Sequence, residues 1–140
     1  MKLGLATVLL AAVAVVAPRT LEAAPPVEYA ARHILLSYRG AQRSTQTRTL
    51  EEARVLAKQA FDAIESGMSF ADASHKWSDD KASDKRDGFL GFFPAEQMDP
   101  RFSAAVIAAK DGQVVGPIES GFGFHVIQRL ATADAVAILA

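Results

Sequence analysis

The sequence predicts an α+β domain: one four-stranded, mostly antiparallel sheet surrounded by helices, in the order βααβαββ. Three observations point there. Segments starting at Thr49 and Ser69 open with capping-box patterns, and the first carries apolar residues at helical spacing. Two β-rich runs, "QVVGPI" and "FGFHVIQRL", close the chain around a glycine-containing turn, which makes an antiparallel hairpin. One sheet with helices packed on it buries both kinds of apolar face. A chain of 140 residues that is 50% apolar and 22% charged suits one such core.

The elements follow in order. "MKLGLATVLLAAVAVVA" has Lys2 and then an apolar run from Leu3 to Ala17. That run is short of the ~20 residues a membrane span needs. It fits a secretory signal peptide over residues 1–23, with Leu21-Glu22-Ala23 as the cleavage motif. An exported protein of the periplasm or cell envelope is therefore expected, with an uncleaved N-terminal membrane anchor as the alternative. No membrane span is expected in the mature chain. Residues 24–30 contain Pro25 and Pro26 and read as an extended linker. The folded domain is expected over 31–131.

"ARHILLSY", from Ala31 to Tyr38, reads as the first strand. "RGAQRSTQTR" shows no apolar periodicity and reads as a long loop. Thr49 caps a helix whose apolar face is Ala53, Leu56, Ala57, Ala60, Phe61 and Ile64, with Gly67 at its end. A shorter helix ends near Trp77. "SDDKASDKRDG" reads as polar turn and "FLGFF" as a short strand. Asp99-Pro100 is a helix start, Asp as N-cap and Pro at the first turn. Phe102, Ala105, Val106 and Ala109 line that helix. The terminal hairpin turns at Glu119–Gly121, and residues 132–140 read as a C-terminal tail.

Composition excludes several classes. Without cysteine there is no disulfide framework, thiolate nucleophile or cysteine metal site. A net charge of −1 gives no field for nucleic acid. Removing residues 1–23 leaves a formal charge of −2. His33, His75, His125 and Asp79 or Asp80 match no metal-ligand spacing, and no G-x-S-x-G elbow marks a hydrolase.

His33 and His125 stand in apolar strands, where an imidazole needs hydrogen-bond partners. Strand parity places His33 with Leu35 and Ser37, and His125 with Gly123 and Ile127. On adjacent strands the two rings can satisfy each other. By spacing alone such histidines read as core groups, as do Met98 and Phe102. Leu90 is ambiguous. Asp79 and Asp80 read equally as turn caps, and Ser120 as a hairpin residue.

The words "RHILL", "TLEEARVLAKQAFDAIESGMSFADAS", "WSDD", "FLGFF", "MDPRFSAAV" and "GPIESGFGFHVIQRL" occur in this order. Together they resemble the parvulin family of peptidyl-prolyl cis–trans isomerases over residues 31–130. The resemblance implies the parvulin (FKBP-like) fold and rotation about X-Pro bonds in unfolded or partly folded polypeptides, by a monomer with no metal or other cofactor. It implies a catalytic set of His33, Asp80, Ser120 and His125, and a proline pocket of Leu90, Met98 and Phe102. Phe102 is expected to be half buried there. Asp87-Gly88-Phe89-Leu90-Gly91 departs from the Gly-Gly-Asp-Leu-Gly of many relatives. Phosphate-directed relatives carry a basic loop after the first strand. Arg39 and Arg43 are the candidate anion-binding residues here, in a stretch with no acid between Glu28 and Glu51, and the alternative is a solvated loop with a mild preference for acidic peptides. A peptide-holding chaperone that uses the same groove without catalysis is the competing reading.

Overall fold

The computed structural model describes residues 3–4, 6–18 and 23–140. Lys2 and Leu21-Glu22 of the expected signal segment lie outside the described residues. Residues 6–18 carry no helix or strand. Among the described residues no helix is long and apolar enough to cross a membrane.

β1 (Glu28–Leu36) is a central strand. Its β-branched and leucine residues alternate between two faces, and both faces are covered. β1 begins three residues before the expected Ala31. Tyr29 pairs with Phe93, and Ala30 pairs with both Phe92 and Leu130. These ladder bonds take up backbone that the sequence assigns to a linker.

α1 (Leu50–Glu65) opens with the full capping box: Thr49 Oγ1 accepts the Glu52 N–H, and Glu52 accepts the Thr49 N–H. Ser66 is the C-cap, and Gly67 follows in the left-handed region (φ 112°). α2 (Phe70–Trp77) is capped by Ser69. The segment expected to be plain turn contains α3 (Lys81–Asp84), capped by the Asp80 side chain on the Ser83 N–H.

β2 (Phe89–Pro94) follows a turn in which Asp87 and Gly88 are both left-handed (φ 59° and 84°). A 3₁₀ turn (Ala95–Gln97) leads to α4 (Pro100–Ala108), capped by Asp99 with Pro100 at its start. β3 (Val114–Ser120) and β4 (Gly123–Leu130) form the hairpin. The expected tail is α5 (Thr132–Leu139), with Ala135 buried against Ala30, Phe89 and Leu130. Its alanine-rich sequence lacks a wide apolar stripe, but one small side chain suffices for close docking.

All neighbours in the sheet are antiparallel, in the order β2-β1-β4-β3. One face carries α1 and α2 over Ile34, Leu36, Phe124 and Val126. The other carries α4 over Ala31, Phe93 and Ile127, with Phe102 and Val106 as its knobs. The second face holds the polar site.

Candidate active site

Register fixes the histidines. His33 lies opposite Ile127 and Leu35 opposite His125, so both rings project from the same face of neighbouring strands. Both residues are buried, and their Nδ1 atoms stand 3.0 Å apart.

Asp80 is brought in by the chain that continues β1's outer edge. Beyond β2, the His33 N–H donates to the Gly88 carbonyl (2.9 Å). The Leu35 N–H then donates to Ser78 Oγ (3.2 Å), and the Asp79 N–H to the Leu35 carbonyl (2.8 Å). Asp79 accepts the Ser37 N–H (2.9 Å) and pairs with Arg48. Asp79 therefore anchors this segment, and Asp80 faces His33.

The hydrogen bonds form a directed row. Asp80 Oδ2 accepts from the Ser83 hydroxyl (2.7 Å) and from His33 Nε2 (2.6 Å). The His33 bond holds the Asp80 carboxyl far below the usual carboxylate range. Burial opposes this, and the Ser83 bonds add to it. With one ring proton on each histidine, His33 spends its own on Asp80 and accepts from His125 Nδ1–H. His125 Nε2 then accepts from the Ser120 hydroxyl (2.5 Å), whose oxygen accepts the Phe122 N–H (3.1 Å). Every donor is matched. Burial pushes the His125 imidazole down to about 3, against the weaker opposite pull of Asp99 and Asp80. His125 is neutral at ordinary pH.

The row forms one wall of a groove of about 440 Å³. Leu90, Met98 and Phe102 all line it, so the Asp87–Gly91 departure leaves Leu90 at the groove. Phe102 is not half buried as expected; only 2% of it is exposed. Its ring meets both imidazoles and Phe93 edge-on, with centroids 5.1 Å from His125 and 6.0 Å from His33. It is both wall and core.

Arg43 lines the groove, held at φ 58°. Arg39 does not line it; it is exposed and donates to the Thr47 carbonyl (3.1 Å). His75 lies elsewhere, between Asp84 and Asp87 (2.9 and 3.1 Å). Sequence reasoning missed Gln42, Phe122 and Asp99 as lining residues and Ser83 as support for Asp80. The Asp80-x-x-Ser83 cap spacing was a readable signal for the last.

The sequence matches the family described as "PPIC-type PPIase domain" over residues 19–133. The chain belongs to this family. It is 37% identical over 101 residues to a protein named Chaperone SurA from Alkalilimnicola ehrlichii, covering 72% of this chain and 22% of that one. It is 37% identical over 117 residues to the peptidyl-prolyl cis-trans isomerase pin1 of Schizosaccharomyces pombe, covering 79% and 66%. Among solved structures, the peptidyl-prolyl isomerase ESS1 from Candida albicans superimposes with a TM-score of 0.67 at 26% identity, over 74% of this chain and 63% of that one. The chain thus spans about a fifth of the SurA relatives it matches. The four-stranded antiparallel α+β fold of this chain matches that of its solved relatives.

Proposed function

We propose that this chain is a peptidyl-prolyl cis–trans isomerase acting on unfolded or partly folded, proline-containing polypeptides of an exported compartment. The observation that carries the reading is the Ser120–His125–His33–Asp80 row facing an apolar wall in one groove.

The chemistry follows from the amide. Resonance gives an X-Pro bond its barrier of ~18–20 kcal/mol, and twisting removes that resonance. A catalyst must favour the twisted amide over both planar forms. Leu90, Met98 and Phe102 grip the pyrrolidine ring, and the carbonyl side turns against them. The polar row is fixed before substrate arrives, so the wall against which the amide turns needs no reorganisation. No bond to substrate forms. Asp80 serves as a hydrogen-bonded charge that orients His33, and through it His125. Residues 1–23 act as a signal peptide, and the active species is a monomer that needs no cofactor.

The experiment is catalysed isomerisation of an Ala-Pro peptide. Turnover by wild type is expected, with kcat/KM lowered about 10- to 100-fold in Asp80→Ala and Asp80→Asn. That is the range of a lost hydrogen bond to a charged group. Asparagine also presents an N–H where the Ser83 donors point. Wild-type rates in both variants would remove Asp80 from the site. The named chaperone relatives favour a second reading, a peptide-holding groove. Binding of proline peptides without any catalysis would establish it over the enzyme.

A further inference from the structure

His75 is the one histidine outside the groove among the described residues. Its side chain is 52% exposed on α2, yet both ring nitrogens meet carboxylates. Nδ1 stands 2.9 Å from Asp84 Oδ1, and Nε2 stands 3.1 Å from Asp87 Oδ1. The neighbouring Ser74 hydroxyl donates to the same Asp84 oxygen (2.7 Å). A neutral imidazole carries one ring proton and makes only one of the two bonds; its other nitrogen then turns a lone pair on a carboxylate. The imidazolium makes both.

The two carboxylates belong to the segment that supports the polar row. Asp80 opens this segment, with the Ser83 hydroxyl on its Oδ2 (2.7 Å). Gly88 closes it: its N–H donates to the Ser83 carbonyl (2.9 Å), and its carbonyl takes the His33 N–H (2.9 Å). Asp87 precedes Gly88 at φ 59°, a left-handed value that a non-glycine residue keeps only where its surroundings hold it. Through His75, α2 grips the segment at Asp84 and at Asp87, one bond before the glycine that holds His33. The other charges around the ring are engaged elsewhere or exposed. On α2, Lys76 lies over the Trp77 ring and Asp72 is exposed. On the facing segment, Lys81 donates to the Ser78 carbonyl, Arg86 lies over the Phe89 ring, and Lys85 is exposed. α1 and β1 also pack on α2, and none of their carboxylates forms an ion pair with His75.

We propose that His75 is a positioning residue for the groove: its imidazolium joins Asp84 to Asp87, fastens residues 80–88 to α2, and so keeps Asp80 and His33 in place. This rests on the isomerase reading and adds control of the same site by pH. When the ring loses its second proton one bond opens, the turn at Asp87-Gly88 loosens, and catalysis falls.

The test measures kcat/KM on an Ala-Pro peptide from about pH 5 to pH 8, the span in which imidazoles change charge. NMR follows the His75 ring and the Gly88 amide over the same span. Wild type should exceed His75→Gln by about two- to fivefold at the acid end, the range of an exposed ion pair, and the ratio should close to one at the alkaline end. His75→Arg stays charged throughout and should hold the acid-end advantage over His75→Gln at every pH. Asp87→Asn, whose side chain tolerates the left-handed φ, should behave as His75→Gln does. A ratio of wild type to His75→Gln that does not change with pH would overturn the proposal. So would a His75→Arg profile that falls with pH as wild type does, or a Gly88 amide that ignores the protonation of His75. A protein that turns over nothing, yet shifts its Gly88 amide in step with the His75 ring, would retain the clamp and lose the isomerase reading instead.

Discussion

His125 shows how burial sets chemistry at a single residue. Its folded-state imidazole is pushed down to about 3, whereas an unfolded histidine titrates near ~6.5. Below ~6.5 the unfolded chain takes up a proton that the folded ring refuses. The stability contributed by neutral His125 is full above that pH and declines as pH falls toward 3, by up to ~1.4 kcal/mol per pH unit. Urea midpoints between pH 7 and 4 should fall more steeply for wild type than for His125→Asn, whose amide can replace the Nδ1–H donor. Parallel slopes would show that the ring protonates freely in the fold. Phe102 and Met98 separate core from pocket. Phe102→Ala removes a ring that is 2% exposed and should cost about 3–5 kcal/mol of stability as well as activity. Met98, half-buried at the groove, should lose activity on substitution by Ala with less than ~2 kcal/mol of stability. Urea melts beside kcat/KM measure both, and a Met98 variant that loses stability without activity would assign that side chain to the core.

At the scale of elements, the turn before β2 makes the sharpest demand. Gly88 adopts φ 84°, and a Cβ there would stand 2.5 Å from the His33 carbonyl. The Gly88 carbonyl also takes the His33 N–H. Gly88→Ala should cost ~1–3 kcal/mol from backbone conformation alone and displace His33. The measurement is a urea melt paired with imidazole NMR, and unchanged His33 signals would show that the turn does not position the ring. α1, α2, α4 and the hairpin were legible because each announces itself locally: Thr49 and Ser69 cap, Asp99-Pro100 starts, and β-branched residues bracket the hairpin, whose turn falls at Gly121–Phe122, with Glu119 and Ser120 of the expected turn in β3. α3 was not legible, because one turn of helix has no periodicity and its cap, Asp80, also lines the groove. α5 was missed because Ala135 docks by fitting closely, which no hydrophobic stripe betrays. The early start of β1 was hidden because Glu28, Tyr29 and Ala30 pair through backbone to strands distant in sequence. In the site, the facing of His33 and His125 followed from strand parity. The pocket membership of Asp99 and the separation of Arg39 from Arg43 depend on how loops dock, which local sequence does not encode.

Over the whole molecule, the groove and the start of β1 occupy opposite ends of the sheet. The β1–α1 loop, the β3–β4 turn and the groove share one end, since Gln42 docks on Gly121 and Ser37 Oγ donates to the Phe122 carbonyl. The other end holds the start of β1, where Glu28 pairs with Pro94 and Ala30 with Leu130, and there α5 packs on β1. Chain preceding Glu28 therefore leaves the sheet away from the groove. The first ladder pair lies beyond the expected cleavage point after Ala23, so among the described residues cleavage there removes no sheet hydrogen bond and none of the buried core. A protein beginning at Ala24 should melt in urea at the same midpoint as the full chain and isomerise proline peptides at the same rate. N-terminal sequencing of the protein from its host should begin near Ala24. An intact Met1 recovered with the membrane fraction would replace export with anchoring. A truncated protein that melts earlier would show that residues before Glu28 pack on the fold.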